Sequence, residues 1–340
     1  MSTSAIGVDV GGTKIAAGVV DADGRIVARN QRVTPAQHAD QVRDAVTDAV
    51  RELRTEHEVT AIGVSAAGFV DAARATVMFA PNLAWRDEPL RDELEQRTGL
   101  PVVVENDANA AAWAESRFGA GRGTRQVLAL TVGTGLGGGV VQDGRVLRGE
   151  FGAAAEVGHV VMVPGGRPCP CGLAGCLERY ASGTALVRRA REIAVDSPVL
   201  AHDLLARAGG RAEAVGGPMV TAAARAGDVA ALQVFDEVGA WLGLGVAQLA
   251  AVLDPGVVVI GGGVAAAGDI LLGPLLAAYT KNLTGRGHRP TARVVTAELG
   301  PDAGLVGAAD LAATDTRGPA TPSAVGVLPS PGPFPRGIPS

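Results

Sequence analysis

The sequence lacks any cluster of lysine and arginine, and this absence excludes the usual means of binding nucleic acid. Its 30 basic and 35 acidic residues give a formal net charge of −5 over 340 residues. Proteins that bind nucleic acid concentrate positive charge on one face, because contacts with phosphates supply much of their affinity. We therefore expect no nucleic-acid partner.

Signals for export and for membrane insertion are also missing. Residues 1–4 run directly into an apolar strand, without the basic segment and cleavage site of a secretory signal peptide. The longest apolar stretch, Val229–Leu253, contains Asp236 and Glu237, whereas a membrane span carries few or no charges over ~20 residues. Its apolar residues recur at helical spacing. We predict a buried helix, no membrane partner and a cytoplasmic protein.

Cysteine is scarce, and the three cysteines present lie within eight residues. An odd number at this spacing makes a poor disulfide framework. Together with His159, the residues Cys169, Cys171 and Cys176 form the pattern H-x9-C-x-C-x4-C. Four nitrogen and sulfur ligands favour tetrahedral Zn²⁺, and a complete set of protein ligands is typical of a structural site. We predict structural zinc; three reduced thiols beside an unrelated histidine are the alternative.

Two stretches of the chain repeat the same order of strands and turns. In the first, the apolar segments 6–10 and 15–20 flank Gly11-Gly12, and Asp23-Gly24 leads into a third strand. The second stretch repeats this order with strands at 127–131 and 138–141 and turns at 133–135 and 143–144. An Asp-Gly pair between apolar runs is a strong hairpin signal. A duplicated hairpin unit heading each of two lobes is our interpretation, and chance similarity of two glycine-rich hairpins is the alternative.

This repetition predicts an α/β protein with the two-lobed actin-like or hexokinase-like (ribonuclease H-like) ATPase fold. In that fold a duplicated βββαβ-type unit encloses a central cleft. The predicted domains are an N-terminal lobe at 1–118, joined by a C-terminal helix at about 300–314, and a second lobe at 119–299 that carries the cysteine loop. Residues 317–340 hold seven of the 20 prolines and almost no charge. We therefore predict a disordered tail at 315–340.

Two glycine-rich turns occupy corresponding places in the two repeats. Glycine lets backbone N–H groups approach phosphate oxygens closely, and Asp9 is placed to hold Mg²⁺. Neither turn has Walker spacing, and an ordinary hairpin turn is the alternative for each. A third glycine run follows the strand at 257–260 and is predicted to admit a nucleotide base. The predicted nucleotide-binding residues are Asp9, Gly11, Gly12, Thr13, Lys14, Gly133, Thr134, Gly135, Gly261, Gly262 and Gly263.

Polar residues that suit a polyol substrate follow several predicted strands. Asp107 lies between a strand and an alanine-rich helix, where it is predicted to be the general base for phosphoryl transfer, with Asn106 bonding a neighbouring hydroxyl. A helix cap is the alternative for Asp107. Further upstream, the sequence from Thr34 to Gln37 predicts a capping box at the start of a helix. The remaining candidates for binding the polyol are Gly68, Glu156, His159 and Glu178.

Taken in order, these motifs resemble those of the ROK family (repressors, open reading frames and sugar kinases) over residues 6–313. The resemblance is strongest to actinobacterial ATP-dependent glucokinases. It implies transfer of the γ-phosphoryl group of ATP to the 6-hydroxyl of glucose, with Mg²⁺ and Zn²⁺, in a homodimer or homotetramer. It also implies that Asp107 is the base, that Asn106, Glu156, His159 and Glu178 hold the sugar, and that the phosphates lie at the two glycine turns.

Several alternatives within the family stay open at this point. A kinase of fructose, mannose, N-acetylglucosamine or N-acetylmannosamine shares these motifs, and polyphosphate is another possible donor. The family's transcriptional regulators carry a helix-turn-helix domain before the first motif, so we expect a regulator least, since only eight residues precede Asp9. Ala66-Ala67 stands before Gly68 where many relatives have proline, which leaves the geometry of that loop open.

Overall fold

Two five-stranded sheets, a small three-stranded sheet and nine α-helices are the main elements of the part of the chain that the computed structural model describes, residues 4–315. The strands are β1 Ala5–Val10, β2 Lys14–Val20, β3 Ile26–Val33, β4 Ile62–Ala66, β5 Phe69–Val70, β6 Val77–Phe79, β7 Arg86–Glu88, β8 Val102–Asn106, β9 Gln126–Val132, β10 Leu136–Gln142, β11 Arg145–Val146, β12 Val257–Gly261 and β13 Arg293–Thr296. The helices are α1 Ala39–Arg54, α2 Leu90–Thr98, α3 Asp107–Arg117, α4 Gly183–Asp196, α5 His202–Arg207, α6 Gly217–Arg225, α7 Val229–Leu253, α8 Asp269–Asn282 and α9 Ala303–Asp315.

The two large sheets have the same topology. The strand order is β3-β2-β1-β4-β8 in the first and β11-β10-β9-β12-β13 in the second. In each sheet the central strand pairs antiparallel with the next strand of its hairpin and parallel with a strand that follows a helical crossover. The predicted duplication is therefore confirmed. A small sheet, β5-β6-β7, was not predicted, because its strands are only two or three residues long.

Burial on both faces explains the composition of the central strands. All five residues of β4 and of β12 are buried, which suits their continuous apolar or small residues. The edge strand β3 instead alternates between half-buried and exposed residues along its length. Helices α1 and α2 complete the core of the first sheet around Trp85, and α4–α8 complete the core of the second around Phe235.

Helices α3 and α9 lie between the two sheets. Helix α9 packs on β1 and β4, α3 packs on β9 and β10, and the two helices pack on each other. Glycine permits each contact. A Cβ atom would lie 1.8 Å from the Ala308 carbonyl oxygen at Gly63, 1.8 Å from that of Ala110 at Gly307, and 2.7 Å from that of Ala108 at Gly139. The backbones therefore approach more closely than any larger residue allows.

The capping box predicted at Thr34 is wrong. Helix α1 begins at Ala39 with His38 at its N-cap. The Thr34 hydroxyl instead donates to the Gly11 carbonyl oxygen at 2.8 Å, and its N–H donates to the Thr13 carbonyl oxygen at 3.1 Å. Thr34 thus fastens the first glycine turn, because a side-chain bond across the fold competes successfully with a local cap.

Helix α7 is confirmed as a buried helix. It is the one helix within residues 4–315 that is long and apolar enough to cross a membrane by composition. More than half of its most apolar window is buried, and α4, α6 and α8 pack against it. The predicted tail at 315–340 falls outside the described residues, apart from Asp315 at the end of α9. The domain boundaries at 118 and 299 stay predictions.

We predict that Gly307→Ala destabilises the protein because the new methyl group would collide with the backbone of α3. Such overpacking costs about 1–3 kcal/mol, which exceeds the ~1 kcal/mol that alanine gains over glycine as a helix former. Urea denaturation measures the change in the free energy of unfolding. Ala251→Gly, at an exposed position of α7, is the control, because it changes only the helix propensity and no buried contact. A Gly307→Ala variant as stable as the wild type would contradict the close packing.

Candidate active site

The corner between β8 and α3 carries two of the predicted site residues. Asn106 is the N-cap of α3, and its Oδ1 accepts the Asn109 N–H at 3.0 Å. Its Nδ2 donates to the Gly68 carbonyl oxygen at 3.0 Å and to Asp107 Oδ1 at 3.1 Å. Since Asn106 caps the helix, Asp107 is the first helical residue and is not needed as the cap. Asp107 Oδ1 still accepts the Ala108 N–H at 2.9 Å in the first turn of the helix, so its role as the base stays a prediction.

Asp107 is a half-buried carboxyl group among other carboxyl groups. Burial raises the pKa of Asp107 to about 6, and the charges of Asp9 and Glu156 add to the rise, whereas the Ala108 N–H opposes it. A base works best when its pKa lies near the working pH. The surroundings of Asp107 therefore suit a group that accepts a proton near neutral pH.

Asp9 lies next to the end of β1, at the edge of the same small cavity. The cavity measures about 180 Å³, and Asp9, Asp107 and Thr131 are among its lining residues. The Ser65 hydroxyl donates to Asp9 Oδ1 at 2.8 Å. Burial raises the pKa of Asp9, although the Ser65 hydrogen bond and the Lys14 charge oppose the rise. Carboxylate oxygens are the ligands that Mg²⁺ prefers, so Asp9 is placed to hold this ion.

The first glycine turn is closed by its own hydrogen bond and packs against the loop between β6 and β7. The Gly11 N–H donates to the Lys14 carbonyl oxygen at 3.0 Å, which closes the turn. A Cβ atom on Gly12 would lie 3.0 Å from the Cβ of Asn82, which sits in the loop between β6 and β7. Thr13 and Lys14 are exposed beside it. The structure therefore keeps this turn tight and its side chains accessible.

The second glycine turn contacts the start of α4. The Gly133 carbonyl oxygen accepts the Gly183 N–H at 2.7 Å, and the Thr134 carbonyl oxygen accepts the Thr184 hydroxyl at 2.7 Å. The side chain of Glu178 lies against Gly135. Its Oε2 accepts the Leu136 N–H at 2.9 Å. Glu178, predicted to face a polyol, therefore also supports this turn.

A large cavity of about 1210 Å³ opens beside the second turn, between α4 and α6. Gly133, Thr134 and Gly263 line it, so one glycine of the third run reaches this space. Gly261 and Gly262 line the small cavity instead. The sequence did not point to the polar side chains in the large cavity, because they stand on helices without a recognisable motif. They are Thr184, Arg188, Arg191, Glu192, Asp196, Thr221 and Arg225.

Glu156, His159 and Glu178 form an interacting group. Burial raises the pKa of Glu156, and the charge of Glu178 raises it further, while His159 also lies within electrostatic range of this carboxyl group. Because Glu156 also acts on Asp107, these four predicted residues belong to one electrostatic cluster. The structure thus brings together groups from segments that are far apart in the sequence.

The predicted metal ligands converge on one point. The ligand atoms of His159, Cys169, Cys171 and Cys176 all lie within 4.8 Å of one another. Cys169 Sγ is 3.7 Å from His159 Nδ1, and Cys171 Sγ is 3.6 Å from Cys176 Sγ. A tetrahedral site with Zn–S bonds of about 2.3 Å has ligand atoms roughly 3.8 Å apart. The cluster therefore fits structural zinc, with Nδ1 as the histidine ligand and Nε2 left for another contact.

The sequence patterns did not indicate some of the residues that line the small cavity. Thr131, Glu115 and Gly304 line it together with the predicted carboxylates. Glu115 is buried and accepts the N–H groups of Ala120, Glu298 and Leu299. No local pattern marks these residues, since they come from separate helices and strands that meet only in the folded chain.

The paired sheets, the cleft and the two glycine turns define a two-lobed α/β protein of the actin-like ATPase class. The ROK family model matches residues 5–315, and the chain belongs to the ROK family. It is 50% identical to the glucokinase of Streptomyces coelicolor over 307 residues, which cover 90% of this chain and 96% of that protein. It is 40% identical to the glucokinase of Thermotoga maritima over 308 residues, covering 90% and 96%.

Solved structures agree with this assignment. A ROK family glucokinase from Streptomyces griseus, in complex with glucose and AMPPNP, is 51% identical to this chain and superposes with a TM-score of 0.84. The match covers 92% of this chain and 99% of that chain. The predicted family and fold class are therefore confirmed.

We predict that the purified protein contains about one zinc ion per chain and that Cys171→Ser removes it, because three ligands hold zinc less tightly than four. Elemental analysis measures the metal, and circular dichroism shows whether the variant is folded. Leu173→Ser, at an exposed position of the same loop, is the matched control and should keep its zinc. A folded Cys171→Ser variant with full zinc content would contradict the ligand set.

Proposed function

We propose that this chain is an ATP-dependent glucokinase, which transfers the γ-phosphoryl group of ATP to the 6-hydroxyl of glucose. The observation that carries the proposal is the small cavity between the sheets. There Asp107, with its raised pKa, meets Asp9 and Thr131, which lie just before the first and second glycine turns. A base and two phosphate-binding turns around one space are what phosphoryl transfer to a hydroxyl requires.

The relatives support the choice of substrates. The Streptomyces coelicolor and Thermotoga maritima proteins are glucokinases, and the Streptomyces griseus structure holds glucose and AMPPNP, an analogue of ATP. The matches extend over nearly the whole chain, so both lobes contribute to the comparison. Glucose and ATP are therefore the substrates that we propose first.

In the proposed mechanism the sugar is held from both lobes. Asp107 accepts the proton of the 6-hydroxyl as its oxygen bonds to the γ-phosphorus. The bond between that phosphorus and the β–γ bridging oxygen breaks, and ADP leaves with this oxygen. Asn106 bonds a neighbouring hydroxyl. The Gly68 carbonyl oxygen fixes the Asn106 amide, which supports the role of Gly68 near the sugar. The other hydroxyls are assigned to Glu156, Glu178 and His159 Nε2, on the second lobe. Correct positioning of reacting groups supplies much of the rate enhancement in such reactions.

ATP is assigned to the glycine-rich side of the cleft. The backbone of Gly11, Gly12, Gly133 and Gly135 is proposed to bind phosphate oxygens, with Thr13, Lys14 and Thr134 adding side-chain contacts. Asp9 would hold Mg²⁺, which neutralises phosphate charge when bound. The nucleoside is proposed to occupy the large cavity. There Gly263, which has no side chain, leaves room beside the adenine ring, and Thr184 and Arg191 offer polar contacts. Gly261 and Gly262 line the small cavity, next to the proposed phosphate-binding turns.

A sugar and donor panel tests the reaction itself. Glucose, fructose, mannose, N-acetylglucosamine and N-acetylmannosamine are each assayed separately with ATP in a coupled assay. We expect the highest kcat/KM with glucose. Polyphosphate replaces ATP in a second series. A higher kcat/KM with another sugar would overturn the substrate while leaving the reaction class intact. Complete inactivity with every sugar, in a folded and zinc-containing preparation, would favour a sugar-binding regulator instead.

The pH profile and one substitution test the base. Asp107 acts only when deprotonated, so kcat/KM should fall as the pH falls through about 6, the raised pKa of this group. In Asp107→Asn the base is absent, and we expect kcat to fall by about 10²–10⁴ and this acid limb to disappear. The KM for glucose should change much less, because asparagine still bonds a hydroxyl. A variant that keeps nearly full kcat would exclude Asp107 as the base.

Zinc is proposed to act by position, since its four protein ligands leave no place for a substrate. It fixes one side of the His159 ring and the loop that ends at Glu178, as outer contacts orient ligands elsewhere. The folded Cys171→Ser variant should therefore have a higher KM for glucose and a nearly unchanged KM for ATP.

We also propose that the protein is cytoplasmic and forms a homodimer or a homotetramer. Light scattering of the purified chain would measure the oligomeric state.

A further inference from the structure

Glu105 is a buried carboxylate that directly precedes the proposed sugar-binding residues. Its side chain is 3% exposed, and it lies next to the end of β8 in the first sheet. Its Oε1 accepts the Asn106 N–H at 3.1 Å and the Asn109 side-chain amide at 3.1 Å. One oxygen of Glu105 therefore holds both the N-cap of α3 and a residue of its first turn.

The other oxygen of Glu105 binds an arginine that lies just after an edge strand of the second sheet. Arg148 follows β11, and its Nε and Nη2 approach Glu105 Oε2 at 2.7 Å and 2.5 Å. Two guanidinium donors thus converge on one buried oxygen, a charge-assisted arrangement stronger than a neutral hydrogen bond. Neither residue lines the two cavities, so the pair stands behind the site and not in it.

The backbone of Arg148 fastens a second segment of the proposed site. Its carbonyl oxygen accepts the Ala154 N–H at 3.0 Å, which closes the loop 149–153. Glu156 follows two residues after Ala154, and His159 three residues later. Arg148 therefore touches Glu105 with its side chain and the segment leading to Glu156 with its backbone.

We propose that Glu105 and Arg148 are a positioning pair, which sets the base-bearing corner of the first lobe against the sugar-binding segment of the second. The proposal rests on the proposed function of the site. The pair touches no substrate itself. It holds Asn106 and the start of α3, and with them Asp107, at a fixed place relative to Glu156.

A role in stability alone is the competing explanation, and energetics distinguish the two. A buried ion pair repays its desolvation only in part, so it is weak evidence for a stabilising role. Positioning makes a different demand, because a displacement of about 1 Å in an active site lowers rates by as much as ~10²-fold. Losing both partners together should therefore affect kcat and the KM for glucose more than the melting temperature. A change at one partner alone should also lower the melting temperature, because it leaves the other charge unpaired.

The test is a double-mutant cycle with Glu105→Gln, Arg148→Met and both together. We expect each single variant to lower kcat/KM for glucose by about 10- to 10²-fold, from the tolerance of site geometry. The double variant should be no worse than the poorer single variant, because the two changes remove one shared interaction. The KM for ATP and the zinc content should be unchanged. Arg148→Lys, which keeps the charge but not the planar group, should recover part of the loss.

Arg125→Met is the matched control. Arg125 also pairs with an acidic residue, Asp143, but it is 87% exposed and lies away from β8, so its loss should leave kcat/KM unchanged. If Arg148→Met fails to fold, Glu105→Gln and the double variant still decide the question, since neither leaves a buried carboxylate unpaired. Variants within twofold of the wild type, or losses that multiply in the double variant, would overturn the proposal. A wild type that phosphorylates no sugar would instead overturn the proposed function.

Discussion

The close packing of two helices between the sheets is the constraint on which the rest of the structure depends. Gly63 and Gly307 let the backbones of the first sheet, α9 and α3 approach within distances that a methyl group would prevent. This approach brings the ends of β1 and β8 to the same cavity as the end of β9. Without it, Asp9 and Asp107 would stay on one sheet, with no second glycine turn opposite them.

The same packing explains the electrostatics of the site. The carboxyl groups of Asp9 and Asp107, which line the cavity of about 180 Å³, are half-buried and so lose part of their hydration. Burial then disfavours the charged forms, and the mutual repulsion of Asp9 and Asp107 adds to the effect on the pKa of Asp107. The raised pKa of the proposed base is therefore a consequence of how the lobes are packed, and not of its neighbours in the sequence.

Sequence reasoning succeeded where the signal was local. Hairpins, buried strands and the alanine-rich helix after Asp107 follow from periodicity and turn residues, and the four metal ligands follow from spacing over 18 residues. It failed at Thr34, where a bond to Gly11 across the fold overrides the capping pattern. It also missed Ser65 and Glu115, because neither residue belongs to a local motif and their partners come from distant parts of the chain.

Helix α3 connects these observations. Its first residue is Asp107, and its start is held by the Asn106 cap and, behind it, by Glu105. Two turns later Glu115 accepts N–H groups from both segments that cross between the sheets, at Ala120 on the way out and at Glu298 and Leu299 on the way back. Each buried acceptor of this kind is costly to leave unpaired, so the helix is fixed at both ends. The proposed base therefore stands on an element that both lobes hold in place, which is what a reaction dependent on positioning requires.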